Sequence, residues 1–510
     1  MMFAKGILCL LGMFCVVPAW SQERSEAERF YDADEHALIR DFEREHIPLD
    51  GSKVQYIPFR KSEKFGFADK RTHAMKIAPV YEQVFATYPE GAIVSPDGDR
   101  YGLVNYEGKF LIPPAFRNLY KEGDLYHGLF SGRDTTRQSP YDSYIGNYYF
   151  NEKGELLFYA HAHRFESFSA IDSLAWFRYG RTYSVYNRAG KMVKTFEYDS
   201  VKTFQGIFGN SLVFMTPGND GTNTFSAYTV DGRLLYSLPL EENYVRELYQ
   251  LNQHMYGLVT GDGFLFVNEK GEPYDFGLVF GAIGFGFENE FDGYYNTGPL
   301  LVRSDDDKRC GYLSRDGRFL LPLEYSYLGV PGDNGWIAFS KPDAYGVGFI
   351  DTTGKVRMPA TINPFGLRQM DAFGLNLQFH EGLCVTAGQR SDTLYGDSDP
   401  KNYRWYYINE QGQTVFELPD STVMAGHFSG GLAPVMFASG GLGFIDKKGK
   451  LRIAPKYAPA MAGAYPLPQI VLPYFRNGYA YLKGWKGYVD STGYEFFGGK
   501  RVYDHYDFSH

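Results

Sequence analysis

The stretch GFIDKKGK at residues 443–450 decides the fold, because its pattern returns from residue 66 to the end of the chain. The pattern is glycine, an aromatic or aliphatic residue, an aliphatic residue, Asp or Asn, two further residues, glycine, and then Lys, Glu or Arg. The copy at residues 102–109, GLVNYEGK, follows it equally well. Asp or Asn caps a tight turn, and glycine takes the positive φ that such a turn needs. The phrase therefore predicts a strand followed by a hairpin turn.

Eleven copies of this turn phrase occur. The copies at residues 311–318, 348–355 and 487–493 keep both glycines; those at 149–155, 185–191, 228–233, 265–272 and 407–413 lack the first; and that at 66–69 has Thr72 at the turn position. The turn position falls at residues 72, 108, 154, 190, 232, 271, 317, 354, 412, 449 and 493. A period of about 40 residues fits a unit of three to four short strands. The phrase also predicts a positive φ at Gly108, Gly317 and Gly449.

The residues around the phrase complete the repeating unit. A glycine-opened strand precedes it, as at residues 430–435, and a short apolar strand follows it and ends in proline and a ring, as at Pro455 and Tyr457. The first glycine of the phrase leaves room for a neighbouring strand. We therefore predict an all-β tandem array of about eleven β-hairpin or meander repeats, either propeller-like or an open superhelical array. Because propellers usually have about 4–8 blades, eleven units predict two closed rings or one array that does not close simply.

These units resemble the WG repeat, or WG β-repeat, of bacterial proteins, whose phrase is roughly Trp-Gly-Tyr-Ile-Asp, two residues, Gly-Lys, an aliphatic run, Pro and Tyr. The resemblance covers residues 51–510 and is degenerate between 145 and 300. The eponymous Trp is replaced here by Phe65, Tyr101, Cys310, Val347, Leu442 or Lys486. The family has no shared catalytic residues, so the resemblance implies an interaction or envelope role and transfers no active site.

The N-terminal residues predict export. Lys5 precedes the apolar residues 6–17, and Ala19 and Ser21 are the small residues expected before a cut at Gln22, so residues 1–21 predict a signal peptide. The apolar run is too short to span a bilayer, and no later stretch of the mature chain predicts a transmembrane span. Neither Cys9 nor Cys15 follows a small residue, which disfavours a lipid anchor. We expect a periplasmic, cell-surface or secreted protein.

The chain is therefore expected to divide into three segments. They are a signal peptide at 1–21, an acidic helical cap or linker at 22–50, and the repeat array at 51–510. A helix over residues 25–45 would serve as a cap or linker, or alternatively bind a partner through its apolar stripe.

Composition excludes some partners and supports the strand prediction. Aromatic residues make up 17% of the chain and Gly numbers 58 of 510, which favours strands joined by many turns. The net charge is −9, and no Lys/Arg run is interleaved with aromatic residues, which argues against nucleic acid and against anionic lipid surfaces. Cys310 and Cys384 lie more than one repeat apart, so two packed thiols are expected rather than a disulfide.

The sequence contains only weak candidates for catalytic chemistry, and no catalytic, metal or cofactor site is predicted. There is no phosphate loop, nucleophile elbow, His-Glu-x-x-His or Cys-x-x-Cys motif. Three kinds of small cluster could bind a metal or carry acid–base chemistry, although exposed strand faces and loops explain them better: His161 and His163 with Glu166; Glu288, Glu290 and Asp292; and, each by itself, Asp305–Asp307 and Asp397–Asp399. The alternative function is therefore a carbohydrate-active or other hydrolytic enzyme on the β-repeat scaffold.

The copies differ most in the loop between the glycine-opened strand and the phrase. It is short at Ala438–Gly441 and long at Ser131–Ser143, Thr216–Thr224, Arg303–Arg309 and Thr386–Arg404. Because corresponding loops of stacked repeats emerge on one face, we predict a binding face there. The candidate residues are Arg133, Arg137, Tyr141, Arg390, Tyr395 and Arg404. They suit planar polar ligands, and the predicted partner is a protein or a glycan.

Overall fold

The computed structural model describes residues 53–498 except for 134–142, 169–172, 209, 220, 242–244, 253–254, 261–262, 273–280, 285–299, 304–308, 314–317, 330, 343–345, 363–376, 390–402, 459 and 463–468. Twelve sheets lie along these residues: eleven follow one another, one for each copy of the turn phrase, and a separate two-stranded ladder lies between the last two. In the described part of the chain, helical conformation is confined to Lys53 and the single 3-10 turn Lys483–Trp485.

The first five sheets cover residues 56–240. Sheet 1 contains β1 (Tyr56–Lys61), β2 (Lys64–Asp69) and β3 (Met75–Tyr81); sheet 2 contains β4 (Gln83–Thr87), β5 (Ala92–Ser95), β6 (Tyr101–Val104) and β7 (Phe110–Phe116). Sheet 3 contains β8 (Asn118–Glu122), β9 (Leu125–Arg133), β10 (Ser143–Phe150) and β11 (Leu156–Ala162). Sheet 4 contains β12 (Arg164–Glu166), β13 (Leu174–Tyr179), β14 (Thr182–Asn187) and β15 (Met192–Glu197); sheet 5 contains β16 (Thr203–Phe208), β17 (Ser211–Pro217), β18 (Asn223–Tyr228) and β19 (Leu234–Leu240).

The remaining sheets cover residues 245–498. Sheet 6 contains β20 (Val245–Asn252), β21 (Met255–Thr260) and β22 (Gly263–Asn268); sheet 7 contains β23 (Gly281–Gly284), β24 (Leu300–Arg303), β25 (Cys310–Leu313) and β26 (Phe319–Tyr325). Sheet 8 contains β27 (Tyr327–Leu328), β28 (Ile337–Ser340), β29 (Val347–Ile350) and β30 (Val356–Ile362); sheet 9 contains β31 (Phe379–His380), β32 (Leu383–Gln389), β33 (Tyr403–Asn409) and β34 (Thr414–Glu417). Sheet 10 contains β35 (Thr422–Ala425), β36 (Leu432–Phe437), β37 (Leu442–Asp446) and β38 (Leu451–Tyr457); a separate ladder pairs β39 (Ala460–Ala462) with β40 (Gln469–Val471). Sheet 11 contains β41 (Tyr479–Leu482) and β42 (Gly487–Asp490), and β43 (Phe497–Gly498) joins sheet 1.

In the four-stranded sheets, the turn phrase lies between the third and fourth strands. In sheet 10, Asp446 Oδ1 accepts hydrogen bonds from the backbone N–H groups of Lys448 and Lys450, at 2.9 and 3.0 Å, and Gly449 has a φ of 72°. The turn glycines with positive φ are Gly108, Gly154, Gly190, Gly232, Gly271, Gly354, Gly412, Gly449 and Gly493. The predicted conformation is thus confirmed at Gly108 and Gly449, while Gly317 lies outside the described residues.

The first glycine of the phrase sits where the third and fourth strands approach most closely. A Cβ atom at Gly443 would lie 2.6 Å from the carbonyl oxygen of Ile453, which is far inside van der Waals contact. The pairing between β37 and β38 shifts register at this point, so β38 bulges beside Pro455. The same close approach occurs at Gly66, Gly102, Gly311 and Gly348. A side chain is excluded there because the neighbouring backbone fills the space.

Each sheet contacts the next one in sequence, and sheet 11 contacts sheet 1. At the join, β43 pairs in parallel with β1, and the Arg60 N–H donates to the carbonyl of Phe496 at 3.2 Å. The buried Arg60 side chain donates from Nε to the carbonyl of Trp485 at 2.8 Å. Residues near the C-terminus thus supply the missing strand of the first sheet. The succession of sheets closes on itself, which favours the propeller-like form of the predicted array over the open one.

The core consists of apolar clusters shared between neighbouring sheets. The largest runs from Ala338 to Phe497 and includes the fully buried Trp405 and Tyr407. Cys310 and Cys384 are both buried and form no disulfide, so the prediction of two packed thiols is confirmed. Both cysteines lie on strands whose neighbours are apolar, and the thiols serve as small core side chains.

Candidate binding surface

The four long loops all join the second strand of a sheet to its third strand. They follow β9, β17, β24 and β32, in sheets 3, 5, 7 and 9. In an antiparallel meander this connection lies at the opposite end of the sheet from the hairpin between the third and fourth strands. The long loops are therefore attached at the end of their sheets that faces away from the turn phrases.

The strands reach further into these segments than the sequence predicted. Arg133 is the last residue of β9 and pairs with Ser143, and Arg404 lies within β33, opposite Gly388. The two residues are therefore strand residues and not loop residues, because the flanking β-ladders continue beyond the glycine-opened cores. The other candidate residues, Arg137, Tyr141, Arg390 and Tyr395, lie outside the described residues. Arg404 is exposed and lies 3.7 Å from the carboxylate of Glu417.

Two hairpins are extended relative to the other copies. They are β9–β10 in sheet 3 and β32–β33 in sheet 9, and each carries a loop that the sequence singled out. Aligning the turn glycines places Tyr148 of sheet 3 and Tyr406 of sheet 9 at the position that Gly443 occupies in sheet 10. Both extended copies therefore lack the glycine that lets the fourth strand approach in the regular copies.

Sheet 3, in which Tyr148 stands at this glycine position, has an exposed aromatic face. Gly146 lies opposite both Phe130 of β9 and His161 of β11, and Tyr148 lies opposite Tyr159 of β11. Side chains opposite each other on antiparallel strands share one face of the sheet. Phe130, Tyr148, Tyr159 and His161 thus surround Gly146, and we refer to these four side chains as the aromatic face. Tyr159 is 57% exposed and Phe130 is 42% exposed.

A polar network lies on the opposite side of sheet 3. Buried His127 lies with Nδ1 3.2 Å from both the Glu122 carboxylate and Ser167 Oγ, and with Nε2 2.9 Å from Asn147 Oδ1. Ser167 Oγ donates to Glu122 at 2.5 Å and is 2.7 Å from the hydroxyl of Tyr149. A nucleophile relay needs the serine and the carboxylate on opposite ring nitrogens. Here both lie at Nδ1, so the network satisfies buried polar groups and does not activate Ser167.

A second histidine cluster joins His380 of sheet 9, His427 of sheet 10 and Asp333 of sheet 8. His380 Nδ1 is 3.0 Å from the carboxylate of Asp333 and its Nε2 is 3.2 Å from Gln378, and its ring centroid is 4.6 Å from that of His427. Burial, together with the neighbouring His380, lowers the pKa of His427 to about 3. His427 Nδ1 is inaccessible and has no hydrogen-bond partner among the described residues. The ring is therefore neutral at physiological pH.

The structure separates the weak clusters noted in the sequence. His161 belongs to the aromatic face, His163 stacks on Tyr179 with 4.6 Å between ring centroids, and Glu166 accepts a hydrogen bond from Trp176 Nε1. Among the described residues, no three His, Cys, Asp or Glu side chains are grouped as metal ligands. The acidic clusters Glu288–Asp292, Asp305–Asp307 and Asp397–Asp399 lie outside the described residues. No helix within the described residues is long and apolar enough to span a membrane.

Sequence reasoning missed the aromatic face and the His127 network. The sequence shows that the third copy lacks the first glycine of the phrase, but not that an exposed aromatic face forms there. The signal was the pair Tyr148 and Tyr159, which align with Gly443 and Ala454 of the regular copy in sheet 10. Two aromatic residues at the positions where a regular unit has a glycine and a small residue indicate that the bulge has been replaced by a wider, regular ladder.

Several solved structures resemble parts of this chain. A eukaryotic initiation factor shares 11% identity over 71% of this chain and 95% of its own, with a TM-score of 0.38. BamB from Moraxella catarrhalis shares 13% identity over 58% of this chain and 93% of its own, with a TM-score of 0.26. The Dos1 propeller shares 9% identity over 57% of this chain and 95% of its own, with a TM-score of 0.26. Because these TM-scores are low, the propeller-like architecture is assigned from the strand pairing alone.

At the level of sequence, no curated protein matches the chain. The family described as "WG containing repeat" matches residues 443–458, which span the third and fourth strands of sheet 10 from its first glycine through Tyr457. The resemblance inferred from the turn phrase is thereby confirmed at its cleanest copy. The chain is a β-repeat scaffold that carries a repeat of the WG-containing family at residues 443–458.

Proposed function

We propose that the protein is a non-enzymatic binding scaffold that is exported to the cell envelope or exterior. Its partner is a protein or a glycan, held by the long loops between the second and third strands. The observation that carries the proposal is the common attachment of these loops. Sheets 3, 5, 7 and 9 have the same strand order, and each places its long connection between equivalent strands. Variation concentrated at one equivalent position of a repeat is typical of a binding surface.

The local structure supports a scaffold that tolerates such loops. The β32–β33 ladder continues from Leu383 to Gln389 on one side and from Tyr403 to Asn409 on the other, so regular pairing closes the base of the 390–402 loop. A loop anchored on a rigid ladder can vary without loss of the core. Export is supported by the signal-like residues 1–21.

The test replaces residues 390–402 by the four residues 438–441, which form a tight turn in sheet 10 through the Gly440 N–H to Phe437 carbonyl bond of 2.8 Å. We expect the variant to keep its melting temperature and to lose capture of the partner from the native secretome or cell-surface extract. The matched control replaces residues 96–100 by the same four residues, because they form the equivalent connection of sheet 2, which is not one of the four long loops. Capture that survives shortening of both the 390–402 and the 134–142 loops would contradict the proposal.

A further inference from the structure

We propose that the aromatic face of sheet 3 binds a neutral carbohydrate, with a pyranose ring lying on the exposed ring of Tyr159. This inference deepens the proposed function, on which it rests, by naming one class of partner and one site. The exposed fractions of Tyr159 and Phe130 show that their rings are open to solvent.

The rings are arranged as a platform and not as a random patch. Tyr148 and Tyr159 are stacked with ring centroids 5.7 Å apart and planes 18° apart, and His161 lies 5.6 Å from Tyr159. Gly146 leaves room for the Tyr148 ring, because a Cβ at residue 146 would lie 2.8 Å from Cε2 of that ring. The inner edge is held in place by the buried Phe116, whose ring centroid is 5.6 Å from that of Tyr148.

The platform is specific to this copy of the repeat. When the repeats are aligned on their turn glycines, Tyr159 and His161 correspond to Ala454 and Lys456 of sheet 10. They correspond to Pro113 and Ala115 of sheet 2. Those regular fourth strands present small, proline or charged side chains on the same face. In sheet 3 the regular β10–β11 register from Ile145 to Tyr149 takes the place of the bulge. The rings therefore do not arise from the general construction of the fold.

The chemistry of the platform fits a sugar better than the other planar ligands. Tyrosine and histidine combine an apolar ring with a polar group at its edge. A pyranose ring likewise has an apolar C–H face and hydroxyl groups around its edge, so stacking and hydrogen bonding can occur together. Nucleic-acid bases also stack on aromatic rings, but their binding depends on a positively charged groove. The net charge of −9 disfavours a polyanion and leaves a neutral glycan favoured.

The position of the platform adds a second argument. Phe130 lies on β9 and Tyr148 on β10, the two strands that lead into and out of the 134–142 loop. This loop contains the candidate residues Arg137 and Tyr141. A glycan chain lying on the platform would therefore extend along the strands that carry the proposed binding loop.

The experiment titrates the full-length protein with cellohexaose, xylohexaose, mannohexaose and maltohexaose by calorimetry. We expect at least one of these to bind. Tyr159→Ala should weaken that binding about tenfold or more, the fold-change that corresponds to ~1.4 kcal/mol. Tyr159→Phe keeps the ring and should retain most of the affinity. Tyr179→Ala is the matched control, because it removes an exposed ring from sheet 4, and it should bind like the unchanged protein.

The outcomes separate this inference from the proposed function. Absence of binding to all four sugars, equal binding by Tyr159→Ala, or binding of single-stranded poly(dT) in their place would overturn the carbohydrate site. If Tyr159→Ala still captures the cellular partner while the loop-shortened protein does not, the scaffold proposal stands and the platform inference fails. Melting temperatures of all variants confirm that Tyr159→Ala changes an exposed side chain and not the fold.

Discussion

Sheets 10 and 3 are built from the same repeat and differ in how the third strand pairs with the fourth. In sheet 10 a glycine, Gly443, lets the fourth strand bulge inward beside Pro455. In sheet 3 the corresponding residue is Tyr148, the ladder to β11 stays regular, and the second and third strands grow longer. The comparison teaches that loss of this glycine replaces the bulge by a regular ladder, and that in sheet 3 the regular ladder carries an open aromatic face.

The largest expected effect tests the compact unit directly. Gly443→Ala places a Cβ 2.6 Å from the Ile453 carbonyl oxygen, where the neighbour is backbone and cannot rotate away. We expect the free energy of unfolding to fall by about 3 kcal/mol, at the upper end of the cost of overpacking. Chemical denaturation measures this value.

The same change in the extended unit is the control. In Gly146→Ala the nearest atom is Cε2 of the Tyr148 ring at 2.8 Å, a side-chain atom that can shift more readily than the backbone oxygen beside Gly443. We expect about 1 kcal/mol there, the lower end of the same range. Equal losses in the two variants would mean that the bulge of sheet 10 is not what distinguishes the units.

The regular units could be predicted from sequence because their information is local. Asp446 specifies the turn by capping it, and Gly449 by its backbone conformation. The first glycine of the phrase predicts that another strand passes close by, without showing which strand it is. The closure of the array could not be predicted this way. It depends on β43 pairing with β1 and on Arg60 reaching Trp485, contacts between residues more than four hundred positions apart that carry no periodic signal.

The extended units were only partly predictable for the same reason. Loop length predicts which units are extended. It also places Arg133 and Arg404 in loops, which is wrong, because their strands continue beyond the apolar core. In that part of the strands, apolar and polar residues no longer alternate. The aromatic face needs the cross-strand register of three strands at once. Only that register places Phe130, Gly146 and His161 in one row.

A second test uses acid to compare the regular sheet 10 with its extended neighbour, sheet 9. His427 of sheet 10 has its pKa lowered from the ordinary value of 6.5 to about 3, chiefly by burial. The unfolded chain therefore takes up a proton as the pH falls through 6.5, while the folded chain does not. Stability from this group is complete above pH 6.5 and is lost progressively towards pH 3.

The expected loss from His427 is about 2 kcal/mol, less than ~1.4 kcal/mol per pKa unit would give, because the residue as a whole is only half-buried although its Nδ1 is inaccessible. His427→Gln should remove this share of the acid sensitivity in melting curves recorded between neutral and acidic pH. His380→Gln of sheet 9 should keep most of it, since burial outweighs the neighbouring imidazole. The facing groups Asp333 and Tyr474 remain in both variants. Identical pH profiles for His427→Gln and the unchanged protein would show that His427 is not the responsible group.

The smallest effect concerns the turn end, which regular and extended units share. At Gly108 in sheet 2 a Cβ would meet no atom within 4 Å, so only the φ of 82° opposes a side chain. Gly108→Val should therefore cost about 1 kcal/mol, the low end of the range for strained backbone conformations. Gly108→Asn should cost close to nothing, because asparagine adopts this conformation readily. The first copy already shows such tolerance, since His73 has a φ of 60° in its turn. If Gly108→Val melts at the temperature of the unchanged protein while Gly443→Ala does not, the turn is held by the cap of Asn105 alone, and the glycines that matter are those of the third strands.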